Sequence, residues 1–134
     1  MKAADTSVVV AAFASWHEHH DRARRALDGG LRLIDHCALE SYSVLMRLPA
    51  PHRSAADVVL AFLTARFPQP WLRLSEPAYK AFIRNMADRG VAGGASYDAL
   101  VAATAAGCNA ELVSCDRRAL TIYERYGVRT TLLV

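Results

Sequence analysis

Short apolar or β-branched runs alternate with longer stretches of helical period along all 134 residues. Few folds accommodate that rhythm, because a chain that lays down a strand after each helix builds a mostly parallel sheet with helices on its faces. With 53% hydrophobic residues the chain has material for one sizeable core, and its length is short for two. A single α/β domain over residues 1–134 is expected, with no repeat, linker or low-complexity tract.

The expected strands are a very short first one ending at Asp5, then Leu31 to Asp35, Trp71 to Leu74, Glu111 to Cys115 and Arg129 to Leu133. Val8 to Phe13 reads as a turn of helix or a loop, and His17 to Leu27 as a helix stopped by Gly29-Gly30. A helix from Ala38 to Leu48 ends at the Pro49-Ala50-Pro51 breaker, which puts Glu40 in its first turn. Ser54 is the expected cap of the next helix, with Val58, Val59, Phe62 and Leu63 on one face. Glu76-Pro77 opens another, and the turn from Gly90 to Gly94 follows it. Ser96 is the expected N-cap of a helix carrying Asp98 in its first turn, and Arg117 to Tyr126 is the last helix.

This order gathers four acids distant in sequence. Asp5 and Asp116 follow strands, and parallel α/β sheets hold ligands at the carboxyl ends of their strands. Glu40 and Asp98 stand near the starts of helices that point back to that edge. Each acid alone reads as an ordinary cap or turn residue. Together they make a site, since like charges held close need a strong cation between them. Oxygen donors without cysteine or histidine suit Mg²⁺ or Mn²⁺ better than zinc.

Charge agrees with a polyanionic partner. The formal net charge is only +3, but with the four acids set aside nine acids face sixteen bases, fourteen of them arginine. Arginine is the better fork for phosphate oxygens. A coding bias towards arginine and alanine accounts for the composition equally well. The three cysteines, Cys37, Cys108 and Cys115, form no C-x-x-C pair and suggest reduced, buried thiols. Neither a signal peptide nor a membrane-length apolar segment is visible, so a cytoplasmic protein is expected.

A carboxylate cage for divalent metal suits phosphodiester hydrolysis, which needs a nucleophile at neutral pH and relief of charge on the phosphate. Asp5 with Asp98 or Asp116 are the candidate direct ligands, and Glu40 is the candidate metal-bound or water-positioning base. Attack by water leaves a 5′-phosphate and a 3′-hydroxyl.

Four stretches carry a family likeness: Asp5-Thr6-Ser7-Val8-Val9, Glu40-Ser41-Tyr42-Ser43-Val44-Leu45-Met46-Arg47-Leu48-Pro49, Tyr97-Asp98-Ala99-Leu100-Val101-Ala102-Ala103-Thr104-Ala105, and Ser114-Cys115-Asp116-Arg117-Arg118-Ala119. In order and spacing the chain resembles the PIN-domain nucleases, and among them the VapC-type toxins of bacterial VapBC toxin–antitoxin pairs. The resemblance implies a parallel sheet flanked by helices, an acidic site of Asp5, Glu40, Asp98 and Asp116, Mg²⁺ or Mn²⁺, and cleavage of RNA. A homodimer and a cognate antitoxin that blocks the site are implied too. Ser7 and Ser114 match hydroxyl positions that support the acids, whereas Cys115 departs from the polar or basic residue expected there.

Arg47, Arg117 and Arg118 are the bases nearest the acids in sequence, candidates for gripping the RNA backbone or, equally, solvated helix-end residues. His17, His19 and His20 read as a solvated helix start. Trp71, Phe62, Phe82 and Tyr79 follow helical or strand periods and fit core or dimer packing. A haloacid-dehalogenase-type phosphatase needs a second Asp where Ser7 stands, and a phospho-receiver domain needs a late lysine, yet the lysines are Lys2 and Lys80. The rival from another class is a catalytically inactive PIN-like module that binds protein or RNA.

Overall fold

The computed structural model describes residues 1–133, which form four parallel strands and seven α-helices. The strands β1 (Lys2–Ala4), β2 (Arg32–Leu33), β3 (Glu111–Ser114) and β4 (Thr130–Leu132) lie in the order β2-β1-β3-β4. In register, Ala3 pairs with Arg32 and Leu112, and Val113 with Thr131. The helices are α1 (Thr6–Phe13), α2 (His20–Asp28), α3 (Asp35–Arg47), α4 (Ala56–Arg66), α5 (Glu76–Asp88), α6 (Ala95–Gly107) and α7 (Leu120–Arg125). A 3₁₀ turn, Arg117–Ala119, leads into α7.

β1 is fully central, flanked by β2 and β3, and its Ala3 and Ala4 are solvent-free. Helix α1 is formed from a valine run that leans towards strand by propensity. It is a helix because the Asp5 carboxylate caps it, accepting the Val8 N–H at 3.2 Å, and because Val8, Val9, Ala11 and Ala12 are wholly buried. Burying each valine contributes about 1.5–3 kcal/mol, more than the propensity difference. Alanines do the same work in α6, where Ala99, Ala102 and Ala105 are buried and the helix lies close against β3.

Several expected boundaries move. The strand expected to reach Asp35 stops at Leu33, because Ile34 forms a single parallel bridge to Leu72 and the Asp35 N–H donates to the Leu72 carbonyl at 3.0 Å. Helix α3 therefore starts at Asp35, three residues early, and Glu40 lies in its second turn. The expected strand from Trp71 to Leu74 is reduced to that one bridge. Ser54 is no cap: Ala55 occupies the N-cap, without a side-chain bond, and Val58 is exposed while Val59 and Leu63 are buried. Gly94, not Ser96, is the N-cap of α6, and the Ser96 hydroxyl donates back to the Gly93 carbonyl at 2.6 Å. The helix expected from His17 begins only at His20, after turns. Cys37 is buried as expected, whereas Cys108 and Cys115 are half-buried. Phe82 is core, whereas Trp71 and Tyr79 are 38% and 45% exposed.

Candidate active site

Asp5 is the buried centre of the carboxyl edge. Only 3% of it is exposed, yet every bond around it is supplied by the chain. The Ser7 hydroxyl donates to Oδ1 at 2.5 Å beside the Val8 N–H, and the Tyr123 hydroxyl donates to Oδ2 at 2.9 Å. The Ser7 oxygen in turn accepts the Cys115 N–H at 2.8 Å, and the Ser114 hydroxyl accepts the Asp116 N–H at 3.0 Å. Two serines thus tie the end of β1 to the turn after β3.

The four sequence-selected acids share one cleft of about 380 Å³, lined also by Thr6, Ser7, His17, Glu18, His19, Cys115 and Tyr123. Asp5 lies at the start of α1, Glu40 on α3, Asp98 in the first turn of α6 and Asp116 before the 3₁₀ turn. Burial raises the Asp5 carboxyl above its ordinary range, against the pull of its hydrogen bonds. Asp98 is raised as well, first by burial and then by the charges of Glu40, Asp116 and Asp5. Glu40 is lowered, chiefly by His36, whose Nε2 stands 3.6 Å from Oε2 one helical turn away. His36 is raised by the same contact. Its ring stacks on Tyr97 with planes 2° apart. Burial and the charge of Asp5 push the Cys115 thiol up to about 11, so it is protonated and no nucleophile at neutral pH.

Among the described residues no three His, Cys, Asp or Glu side chains stand as a ready metal cage. The donors still fit Mg²⁺, which keeps several waters and takes one or two protein carboxylates. Oδ2 of Asp5 accepts a single bond, the buried Thr6 hydroxyl has no hydrogen-bond partner, and the Asp98 carboxyl meets three other negative charges. A divalent cation relieves that repulsion.

The three arginines are exposed and none lines the cleft. The Arg47 Nε donates to the Ser43 carbonyl and hydroxyl, and the Arg118 Nε lies 3.6 Å from Asp116. The histidines do lead into a helix, but they are half-buried rather than solvated: His17 stands in the turns before α2, His19 is its N-cap and His20 its first residue, and His17 and His19 lie on the wall of the cleft. Tyr123 and His36 escape a reading of the sequence. No pattern marks Tyr123, whereas His36 is four residues from Glu40 and becomes visible once the helix is started at Asp35.

A parallel α/β sheet with an acidic cleft beyond the ends of its two central strands places this chain among α/β proteins whose ligand site lies at the carboxyl edge of the sheet. The family profile of the PIN domain matches residues 3–125, and the chain belongs to the PIN-domain family. It is 47% identical over 133 residues to Ribonuclease VapC40 of Mycobacterium tuberculosis, covering 99% of both chains. It is 38% identical to Ribonuclease VapC27 of the same species, covering 97% of this chain and 95% of that one. Among solved structures, a chain of FitAcB from Neisseria gonorrhoeae has the same fold, with a TM-score of 0.71, 17% identity, and 99% and 98% of the two chains covered.

Proposed function

We propose that this protein is a Mg²⁺- or Mn²⁺-dependent endoribonuclease, the toxin of a VapBC-type pair. One observation carries the reading: four carboxylates from four separate elements line one cleft. The names of the two Mycobacterium relatives support it.

Asp5, Asp98 and Asp116 would hold the cation, which when bound eases ionisation of water and offsets charge growing on the phosphate. The chain's own residues supply the rest. Ser7, Val8 and Tyr123 fix Asp5 against rotation, so that one lone pair of Oδ2 stays open. Glu40, kept ionised by His36, is the group able to orient an attacking water and take its proton. Arg47, Arg117 and Arg118 flank the acids and fit contacts to the RNA backbone outside the cleft.

Exposed Leu39, Tyr79, Ile83 and Tyr97 on α3, α5 and α6 support a homodimer, and a cognate antitoxin completes the assembly. Action in the cytoplasm is part of the same reading. No described helix is long and apolar enough to cross a membrane.

The test is incubation of total RNA with the purified protein in Mg²⁺, Mn²⁺ or EDTA, beside folded Asp98→Asn. Discrete metal-dependent fragments that vanish in the variant are expected. Binding of RNA without cleavage in any metal would leave the inactive binding module as the better description.

A further inference from the structure

Four rings run from the surface into the acidic cleft. His52, in the loop after α3, lies with its ring centroid 4.3 Å from that of Trp16. Trp16 stands 6.1 Å from His17, and His17 5.6 Å from His19. The last two line the cleft with the carboxylates. At the outer end Trp16 is 49% exposed, an unusual place for the largest apolar side chain.

Hydrogen bonds fix the backbone of the segment that carries Trp16, His17 and His19. The His17 N–H donates to the Ala14 carbonyl and the His20 N–H to the His17 carbonyl, both at 3.0 Å, while His20 Nδ1 lies 2.8 Å from the Ala11 carbonyl. The His19 N–H donates to His17 Nδ1 at 3.0 Å. Since that nitrogen accepts, the proton of neutral His17 is on Nε2, leaving a donor at the cleft wall. A rigid, part-exposed ring loses little entropy when another flat group settles on it. Exposed Arg53, next to His52, adds a positive charge at the outer end.

We propose that Trp16, with His17 and His19, forms a stacking track for unpaired bases of single-stranded RNA entering the acidic cleft. The inference rests on the ribonuclease reading and assigns the side chains along which the bases of its substrate enter. The ring faces recognise any base and the carboxylate cleft takes the phosphate between two of them, so the strand must be unpaired at the cut. Flat ring faces leading to the carboxylates suit bases whose linking phosphate has to reach the cleft, which favours RNA as the occupant.

The test reads binding in EDTA from the fluorescence anisotropy of fluorescein-labelled twelve-mers, one oligo(A) and one abasic ribose-phosphate chain of equal charge, with Trp71→Phe protein, whose sole tryptophan is Trp16, supplying quenching as a second signal. Saturable quenching by oligo(A), and binding roughly ten-fold or more tighter than the abasic chain, are expected. Trp16→Ala should lose that advantage without changing abasic binding, Trp16→Phe should restore most of it, and unchanged thermal unfolding would show both variants folded. With Mg²⁺, Trp16→Ala should raise KM for oligo(A) cleavage more than it lowers kcat. Equal oligo(A) affinity of wild type and folded Trp16→Ala overturns the track while leaving a cleaving enzyme in place. Loss of antitoxin binding with RNA binding intact overturns it in favour of a protein contact. Failure of wild type to bind oligo(A) more tightly than the abasic chain overturns the track, and failure of total RNA to be cleaved in any metal overturns the ribonuclease reading with it.

Discussion

Tyr123 reaches across 118 positions of sequence to donate its hydroxyl to Asp5 Oδ2 at 2.9 Å. The contact fastens α7 to the end of the central strand, and both groups are almost free of solvent. Burial and the Asp5 charge raise the Tyr123 phenol, so it stays a donor throughout the accessible pH range.

Tyr123→Phe leaves that oxygen short of a partner in a buried place. A loss of about 1–3 kcal/mol is expected from the unsatisfied charged acceptor. Urea unfolding in EDTA measures it, and Mg²⁺ should recover part of the loss. An unchanged midpoint would show that water replaces the phenol.

Asp98→Asn should abolish cleavage and yet stabilise the metal-free protein, raising Tm by roughly a few degrees. The sign follows from the raised carboxyl: ionising Asp98 is harder in the folded chain, so its contribution is favourable below the unfolded pKa and lost as pH rises through the folded value. At neutral pH the charge is a burden that the amide lacks. Calorimetry with and without Mg²⁺ checks this, since the cation should stabilise wild type more than the variant. A lower Tm for Asp98→Asn in EDTA would contradict the account.

His36→Gln tests the pair one turn apart on α3. His36 is raised by Glu40, so its stabilisation is complete below about pH 6.5, its unfolded value, and fades as pH climbs through the folded value. The stability gap between wild type and variant should shrink across that window. The Glu40 carboxyl, freed of its partner, should rise, moving the acid limb of the kcat/KM profile to higher pH. An unmoved limb would remove Glu40 from the role of base.

Ser7→Ala deprives Asp5 of one donor and the Cys115 N–H of its acceptor at once. A cost of about 1–3 kcal/mol is expected, with cleavage reduced by at least ten-fold because Asp5 and the turn carrying Asp116 are no longer tied. Single-turnover kinetics beside denaturant unfolding would separate the effects. Full activity in a destabilised protein would leave Ser7 a purely structural residue.

That Asp5, Glu40, Asp98 and Asp116 meet in one cleft was legible in the sequence because strand ends and helix starts fall at one edge of a parallel sheet, and this holds although Glu40 lies a turn later in its helix than expected. Fold class followed from the same alternation. Boundaries failed where tertiary contacts decide them. Leu72 takes over hydrogen bonding from β2, starts α3 at Asp35 and thereby hides the spacing of His36 from Glu40. The valine run of α1 resembles a strand until Asp5 caps it and the sheet buries it. His17 and His19, just before α2, carry no periodic signal, and only folding brings them to the wall of the acidic cleft. Nothing in the pattern around Tyr123 foretells a partner at Asp5, because that bond joins opposite ends of the chain.

Asp5 is at once the cap of α1, the acceptor for Tyr123 and a wall of the cleft. Disarming the protein there therefore also disturbs its architecture. A population under selection to silence the activity has cheaper exits at Asp98 and Glu40, half-exposed positions whose loss leaves the scaffold standing. Inherited inactive copies should carry their lesions at those two places and retain Asp5, so that they still fold and still occupy the partner meant for an active toxin.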